Sequence, residues 1–187
     1  MKYNICILSN DDSLSHVSWE KSLKKSSKIE MYDIIDITKD NWLVQIKSKA
    51  YDLFLLKPPG KNELFKRLYD ERVYLIEKYF KAPIYPSLNE IIIYENKRFF
   101  RDWLMINNIP HPKTNVFFNK TEAEDFIKSI KLFPIVGKIN IGASGNGVKF
   151  LKNDFEISQY VKLAFTKGIT SKIGPKINKG SIISKIK

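Results

Sequence analysis

Residues 134–148 read PIVGKINIGASGNGV. A short apolar run delivers Lys138, a loop containing Gly142, Gly145 and Gly147 follows, and a second apolar run begins at Val148. Glycine permits torsions and close approaches that a Cβ forbids, so successive N–H groups of such a loop can converge on an anion. Ser144 adds a hydroxyl, and Lys138 supplies a compact charge suited to phosphate. This chemistry is the holding of a nucleotide triphosphate beneath a hairpin lid. The plainer alternative is a tight hairpin whose glycines only turn the chain. Two familiar phosphate loops do not fit. The Walker A loop and the dinucleotide fingerprint both lead into a helix, whereas Val148-Lys149-Phe150 reads as strand and no G-x-G-x-x-G occurs.

These residues need elements to position them. Residues 134–138 and 148–151 read as strands, and residues 154–165 as a helix. Upstream, 114–118 is strand-like, and Thr121 can cap a helix to about residue 130, with Glu124 completing a capping box. Residues 95–107 show helical spacing, with Phe99, Leu104 and Met105 among the apolar positions, ended by Ile109-Pro110-His111-Pro112. The front of the chain alternates strand and helix signals. Strands are predicted over 3–8, 31–37 and 51–56, a helix from a Ser13 cap to about residue 25, and a helix over 62–80. That alternation predicts a small parallel α/β sheet, with residues 9–12 and 57–60 on the carboxyl edge that faces a ligand. Residues 81–89, with two prolines and a serine, read as the crossing into a second unit.

Other polar residues carry less. His16 and His111 are too few for a histidine-rich metal site, and Cys6, the only cysteine, sits in an apolar strand as a small buried hydrophobe does. Asp11 and Asp12 read as loop caps of the following helix, with metal or substrate binding as the alternative. Pro58-Pro59-Gly60 either shapes an acceptor-substrate site or is a rigid turn. Arg67, Tyr69, Asp70, Glu71 and Arg72 read as surface ion pairing, with substrate contact as the alternative.

Taken in order, the motifs of residues 85–151 resemble the first lobe of the ATP-grasp fold. They are Asn96-Lys97 opening a helix, then Asn108-Ile109-Pro110-His111-Pro112-Lys113-Thr114, similar to that family's G-I-P-x-P-x-T turn. A helix with Glu122-Ala123, the run from Phe133 to Lys138 and the glycine loop follow. Asn108 departs from the family's glycine but tolerates the left-handed turn. The resemblance is to carboxylate–amine ligases such as D-alanine–D-alanine ligase, glutathione synthetase and the ribosomal-protein glutamate ligases. It implies a small parallel-sheet domain preceding the ATP-grasp lobe (1–84), the α+β first lobe itself (85–166), and a basic tail or inter-lobe insert (167–187). It implies nucleotide contacts from Lys97 and Lys138, and a lid formed by Ser144, Gly145 and Gly147.

The implied reaction joins a carboxylate to an amine, or less often a thiol. A substrate carboxylate attacks the γ-phosphate of ATP to give an acyl phosphate and ADP, and the nucleophile then displaces phosphate. Mg²⁺ is implied too, but the acidic and Asn residues that hold it belong to a second lobe. After Leu151 the only acids are Asp154 and Glu156, placed as helix N-terminal charges are. The chain therefore reads as the truncated front of a longer enzyme, for which catalysis alone is doubtful. An intact mass well above 21.8 kDa in the source organism is the expected result.

Composition is compatible with this. The 187 residues are 43% hydrophobic and 28% charged, which is globular. No apolar run approaches the roughly 18 residues of a membrane span, and the start reads as strand, not as a secretory signal, so a cytoplasmic location is expected. The net charge is +12, but seven lysines lie beyond Glu156 with no acid among them. Removing those seven leaves +5 for the first 161 residues. A nucleic-acid-binding module using this tail with Phe117 and Phe118 is the alternative from another class, and a non-catalytic nucleotide-binding protein is a third. Small-molecule or peptide carboxylates and amines are the expected substrates, neither a membrane nor nucleic acid is an expected partner, and a homodimer is allowed.

Overall fold

The first strand is apolar from Ile5 to Leu8 because it is covered on both sides there, as strands of parallel sheets are. In the computed structural model, which describes residues 1–169, β1 (Tyr3–Ser9) lies inside a four-stranded sheet. The other strands are β2 (Ile29–Asp36), β3 (Leu53–Leu56) and β4 (Ile84–Tyr85), in the order β2-β1-β3-β4, and every pairing is parallel. Alternation sends Ile5, Ile7 and Leu55 to one face, where Trp19 and Leu23 of α1 (Val17–Leu23) meet them. It sends Cys6, Leu8, Phe54 and Leu56 to the other. There Trp42 and Ile46 of α2 (Trp42–Lys47), Tyr69, Val73 and Ile76 of α3 (Glu63–Tyr79) and Ile91 of α4 (Leu88–Ile93) close the core. Each fully buried large apolar side chain contributes roughly 1.5–3 kcal/mol.

Because β2 and β3 flank β1 on opposite sides and α1 lies on the face opposite α2 and α3, the winding reverses between β1 and β3. Open α/β sheets place ligands at such a reversal, outside the carboxyl ends of the strands.

Several local expectations change. Ser13 is not a cap: residues 13–16 form turns, and α1 begins at Val17 after His16, which makes no side-chain cap bond. Leu14, which the predicted helix would include, lies before α1 and is exposed. The short elements α2, β4 and α4 were absent from the sequence reading; β4 joins the first sheet, and Ser87 with Glu90 forms a capping box on α4. The cluster on α3 is surface ion pairing at Arg67, which pairs with Glu63 at 3.4 Å, but not at Tyr69, Asp70 and Arg72. Tyr69 is buried and its hydroxyl donates to the Leu8 carbonyl at 2.6 Å. Arg72 lies 5.1 Å above the Trp42 ring and donates to the carbonyls of Ile37 and Lys39, fixing the loop after β2. Lys66, buried to 1% exposure, donates to Asp70 at 2.6 Å and to the Ile91 carbonyl at 2.9 Å, joining α3 to α4.

The chain divides into two compact units, Met1–Ile109 and a second from Pro110. α5 (Lys97–Ile106) belongs to the first, capped by the Asn96 side chain on the Phe99 N–H. It buries no residue, and Phe99 and Met105 are exposed. Asn108 takes the left-handed turn after it, with φ 54°.

In the second unit α6 (Lys120–Ser129) is capped by Asn119, not Thr121. Residues 114–118 form no strand; Phe117 instead packs on Phe126 with ring centres 5.1 Å apart. β5 (Ile135–Gly137) and β6 (Lys149–Leu151) pair antiparallel, and α7 (Asp154–Ala164) is capped by Asn153. Leu151, Ile157 and Tyr160 form its core, with Ile127, Ile130 and Ile135 packed on it. Most of the expected basic tail, from residue 170 onward, lies outside the described residues.

Candidate nucleotide site

The β5–β6 hairpin has two unlike faces because its side chains alternate. Ile135 pairs with Leu151, and both turn toward the helices. Val136 pairs with Phe150, and both remain outside, 45% and 57% exposed. Lys138, two residues beyond Val136 and also exposed, continues that outer row. The hairpin thus presents an apolar surface beside a cation, which is what a base joined to phosphates requires.

The glycine-rich loop rises from the same hairpin. The Ile139 N–H donates to the Gly147 carbonyl at 3.3 Å, closing the foot of the loop next to Lys138. Within it the Asn146 N–H bonds to Ala143 O at 3.1 Å and the Val148 N–H to Gly145 O at 3.2 Å. Ser144, Gly145 and Gly147 all have positive φ, at 56°, 81° and 69°. Lys138, Ser144, Gly145 and Gly147 are therefore gathered at one end of one hairpin.

The two glycines differ in what surrounds them. A methyl group on Gly147 would lie 2.3 Å from Ile139 Cγ1, whereas one on Gly145 would meet nothing within 4 Å. Gly145→Ala is expected to cost about 1 kcal/mol, the left-handed penalty alone. Gly147→Ala adds overpacking and is expected to cost roughly 2–3 kcal/mol. Denaturant unfolding of the two variants checks the order; equal costs would remove the close approach at Gly147.

Lys97 lies in the first unit, near the carboxyl edge of the parallel sheet. Its ammonium pairs with Glu95 at 3.3 Å, and Glu95 has φ 54°. Gly60, ending the Pro58-Pro59-Gly60 turn, sits against this stretch: a methyl there would be 3.0 Å from Glu95 Cγ. The turn thus brings the start of α5 to the exit of β3. On the same edge Lys61 pairs with Asp12 at 3.3 Å, and the Leu14 N–H bonds Asp12 at 3.1 Å. The Leu14 N–H and then Lys61 hold the Asp12 carboxyl below its ordinary range. Asp11 is pushed up, first by desolvation and then by Asp36 and Asp12.

Beside this edge an open cleft of about 500 Å³ is lined by Trp19 of α1, Lys57 and Pro58 after β3, and Pro86, Glu90 and Tyr94 at α4. The Trp19 indole is fixed by donation to the Leu56 carbonyl at 3.0 Å. Glu90 is held below its usual range by the Ser87 hydroxyl and N–H. Sequence reasoning missed this cleft because α4 and β4, which build one wall, are short and carry little pattern. Among the described residues no group of three or more His, Cys, Asp or Glu side chains gathers to hold a metal, and no helix is long and apolar enough to cross a membrane.

No protein-family model and no curated protein matches the sequence. Solved structures do. A RimK-domain ATP-grasp protein from Sphaerobacter thermophilus aligns with TM-score 0.58 and 13% identity, over 88% of this chain and 60% of that one. Carboxyaminoimidazole ribonucleotide synthase from Aspergillus clavatus, solved with ATP, gives 0.62 and 13% over 88% and 45%. D-alanine–D-alanine ligase from Bacillus anthracis gives 0.53 and 17% over 89% and 55%. The fold is that of ATP-grasp proteins, and the chain spans between 45% and 60% of the length of these three.

Proposed function

We propose that this chain, which has an ATP-grasp fold over part of that fold's length, is the ATP-binding portion of a ligase joining a carboxylate to an amine or thiol. In this reading residues 1–84 are the domain preceding the lobe, and residues 85–166 are the lobe itself. The observation that carries it is the hairpin, with its apolar outer row of Val136 and Phe150, the adjoining Lys138, and a positive-φ loop above. ATP, when bound, supplies the phosphoryl group that activates the carboxylate. The chain's own residues then do three things. Lys138 neutralises phosphate charge, and Lys97, in the first unit, is assigned to the nucleotide by the family resemblance alone. N–H groups at the tip of the loop, residues 143–145, donate to phosphate oxygens. The loop, lowered over them, excludes water that would hydrolyse an activated carboxyl. The carboxyl edge of the parallel sheet, with the Trp19–Tyr94 cleft beside it, takes the carboxylate and amine substrates, small molecules or peptides. Mg²⁺, when bound, would add charge neutralisation on the triphosphate; its ligands are expected in a second lobe, and among the described residues no three His, Cys, Asp or Glu side chains gather.

Amide NMR of the protein titrated with ATP tests the reading. Shifts confined to residues 136–150 and to the start of α5 are the expected result. An unchanged spectrum at millimolar ATP would overturn it.

A further inference from the structure

The glycine-rich loop is held at one end and open at the other, and the residue that holds it lies on a different element. Tyr160 stands on the apolar face of α7, one turn after Ile157, and is buried. Its ring occupies the space that a side chain at residue 137 would fill: a methyl on Gly137 would come within 2.9 Å of Tyr160 Cε1 and Cζ. Through that gap the phenol reaches the far end of the loop and donates to the Gly147 carbonyl at 2.8 Å, in a buried bond. The same carbonyl accepts the Ile139 N–H at 3.3 Å, so two donors from two elements converge on it. Burial pushes the Tyr160 phenol up to about 12, so it remains a protonated donor at neutral pH. The tip is different: Ser144 is exposed, and nothing lies within 4 Å of a methyl placed on Gly145.

We propose that Tyr160 is a positioning residue for nucleotide binding, clamping the foot of the loop through Gly147 so that residues 143–146 close over phosphate from a fixed hinge. This rests on the nucleotide reading of the hairpin. A loop anchored at both feet loses less conformational freedom when its tip orders on a ligand than one that must also fix its base. The sequence pattern marks Tyr160 only as a core residue; the bond to Gly147 needs the packing of α7 on the hairpin.

Tyr160→Phe keeps the ring in the Gly137 gap and leaves the Gly147 carbonyl bonded to Ile139, so the fold should persist with little change in unfolding midpoint. Hydrogen exchange and ATP titration are read together. The expected result is faster exchange of the 142–147 amides, roughly tenfold, with β5 and β6 unchanged, and an ATP affinity lowered about three- to tenfold, the worth of one neutral hydrogen bond. Unchanged loop exchange overturns the clamp. Faster exchange with unchanged ATP affinity overturns the role in nucleotide binding. A parent protein that binds no ATP overturns the nucleotide reading and with it this role, while the exchange result still separates that failure from failure of the clamp itself.

Discussion

Lys138→Ala is expected to lower ATP affinity by roughly ten- to a hundredfold, because a hydrogen bond to a charged group contributes about 1.5–3 kcal/mol. Lys138 follows β5 directly and is exposed on the outer row of the hairpin, so its loss should leave folding intact. Calorimetric titration of parent and variant, with thermal unfolding as the control, measures this. Equal affinities would remove Lys138 from the site and leave the glycine loop as a turn. The same pair of proteins separates the nucleic-acid alternative. Binding to a single-stranded oligonucleotide through the tail lysines would weaken steeply with salt and survive the substitution. A nucleotide pocket would show the reverse.

Asp70→Ala should be the most damaging change in the first unit, at about 3–5 kcal/mol, the cost of leaving one partner of a buried ion pair uncompensated. Lys66 is 1% exposed, and without Asp70 its ammonium keeps only the Ile91 carbonyl at 2.9 Å. The double substitution Lys66→Met with Asp70→Leu removes both charges and should recover most of that loss. Denaturant midpoints for the parent, the single and the double variant decide it. A single variant within about 1 kcal/mol of the parent would show that water reaches Lys66. The pH dependence has a definite sign. Burial raises the Asp70 carboxyl against the pull of Lys66, and burial lowers the Lys66 amine. Folded Asp70 therefore holds its proton above the ordinary value of 3.8, where the unfolded chain has released it. Stability from this group falls as pH rises through that window. The double variant lacks the group, so its stability relative to the parent should improve between acid and neutral pH.

What was legible in the sequence was local. The glycine spacing of residues 142–147 announced an unusual backbone, and Gly145 and Gly147 do take positive φ, which glycine adopts at the least cost. Alternation within β1 and β3, the helical period of α3, and the left-handed turn at Asn108 are likewise properties of a few neighbouring residues. These were enough to place Lys138, Ser144, Gly145 and Gly147 in one hairpin and to predict a parallel sheet. Caps were misplaced by two or three residues because several polar candidates crowd each helix start, and only the backbone path selects among them.

Tertiary structure decided the rest. Arg72 and Asp70 looked like surface charges because residue type sets only the cost of burial, not whether a partner will offset it. The Ile37 carbonyl lies 35 residues from Arg72, and the Ile91 carbonyl lies 25 residues from Lys66, the partner of Asp70. The pairing of β4 with β3, the cleft beside Trp19 and the bond from Tyr160 to Gly147 join elements separated along the chain. Such contacts depend on where packing brings a group, and no local pattern records that.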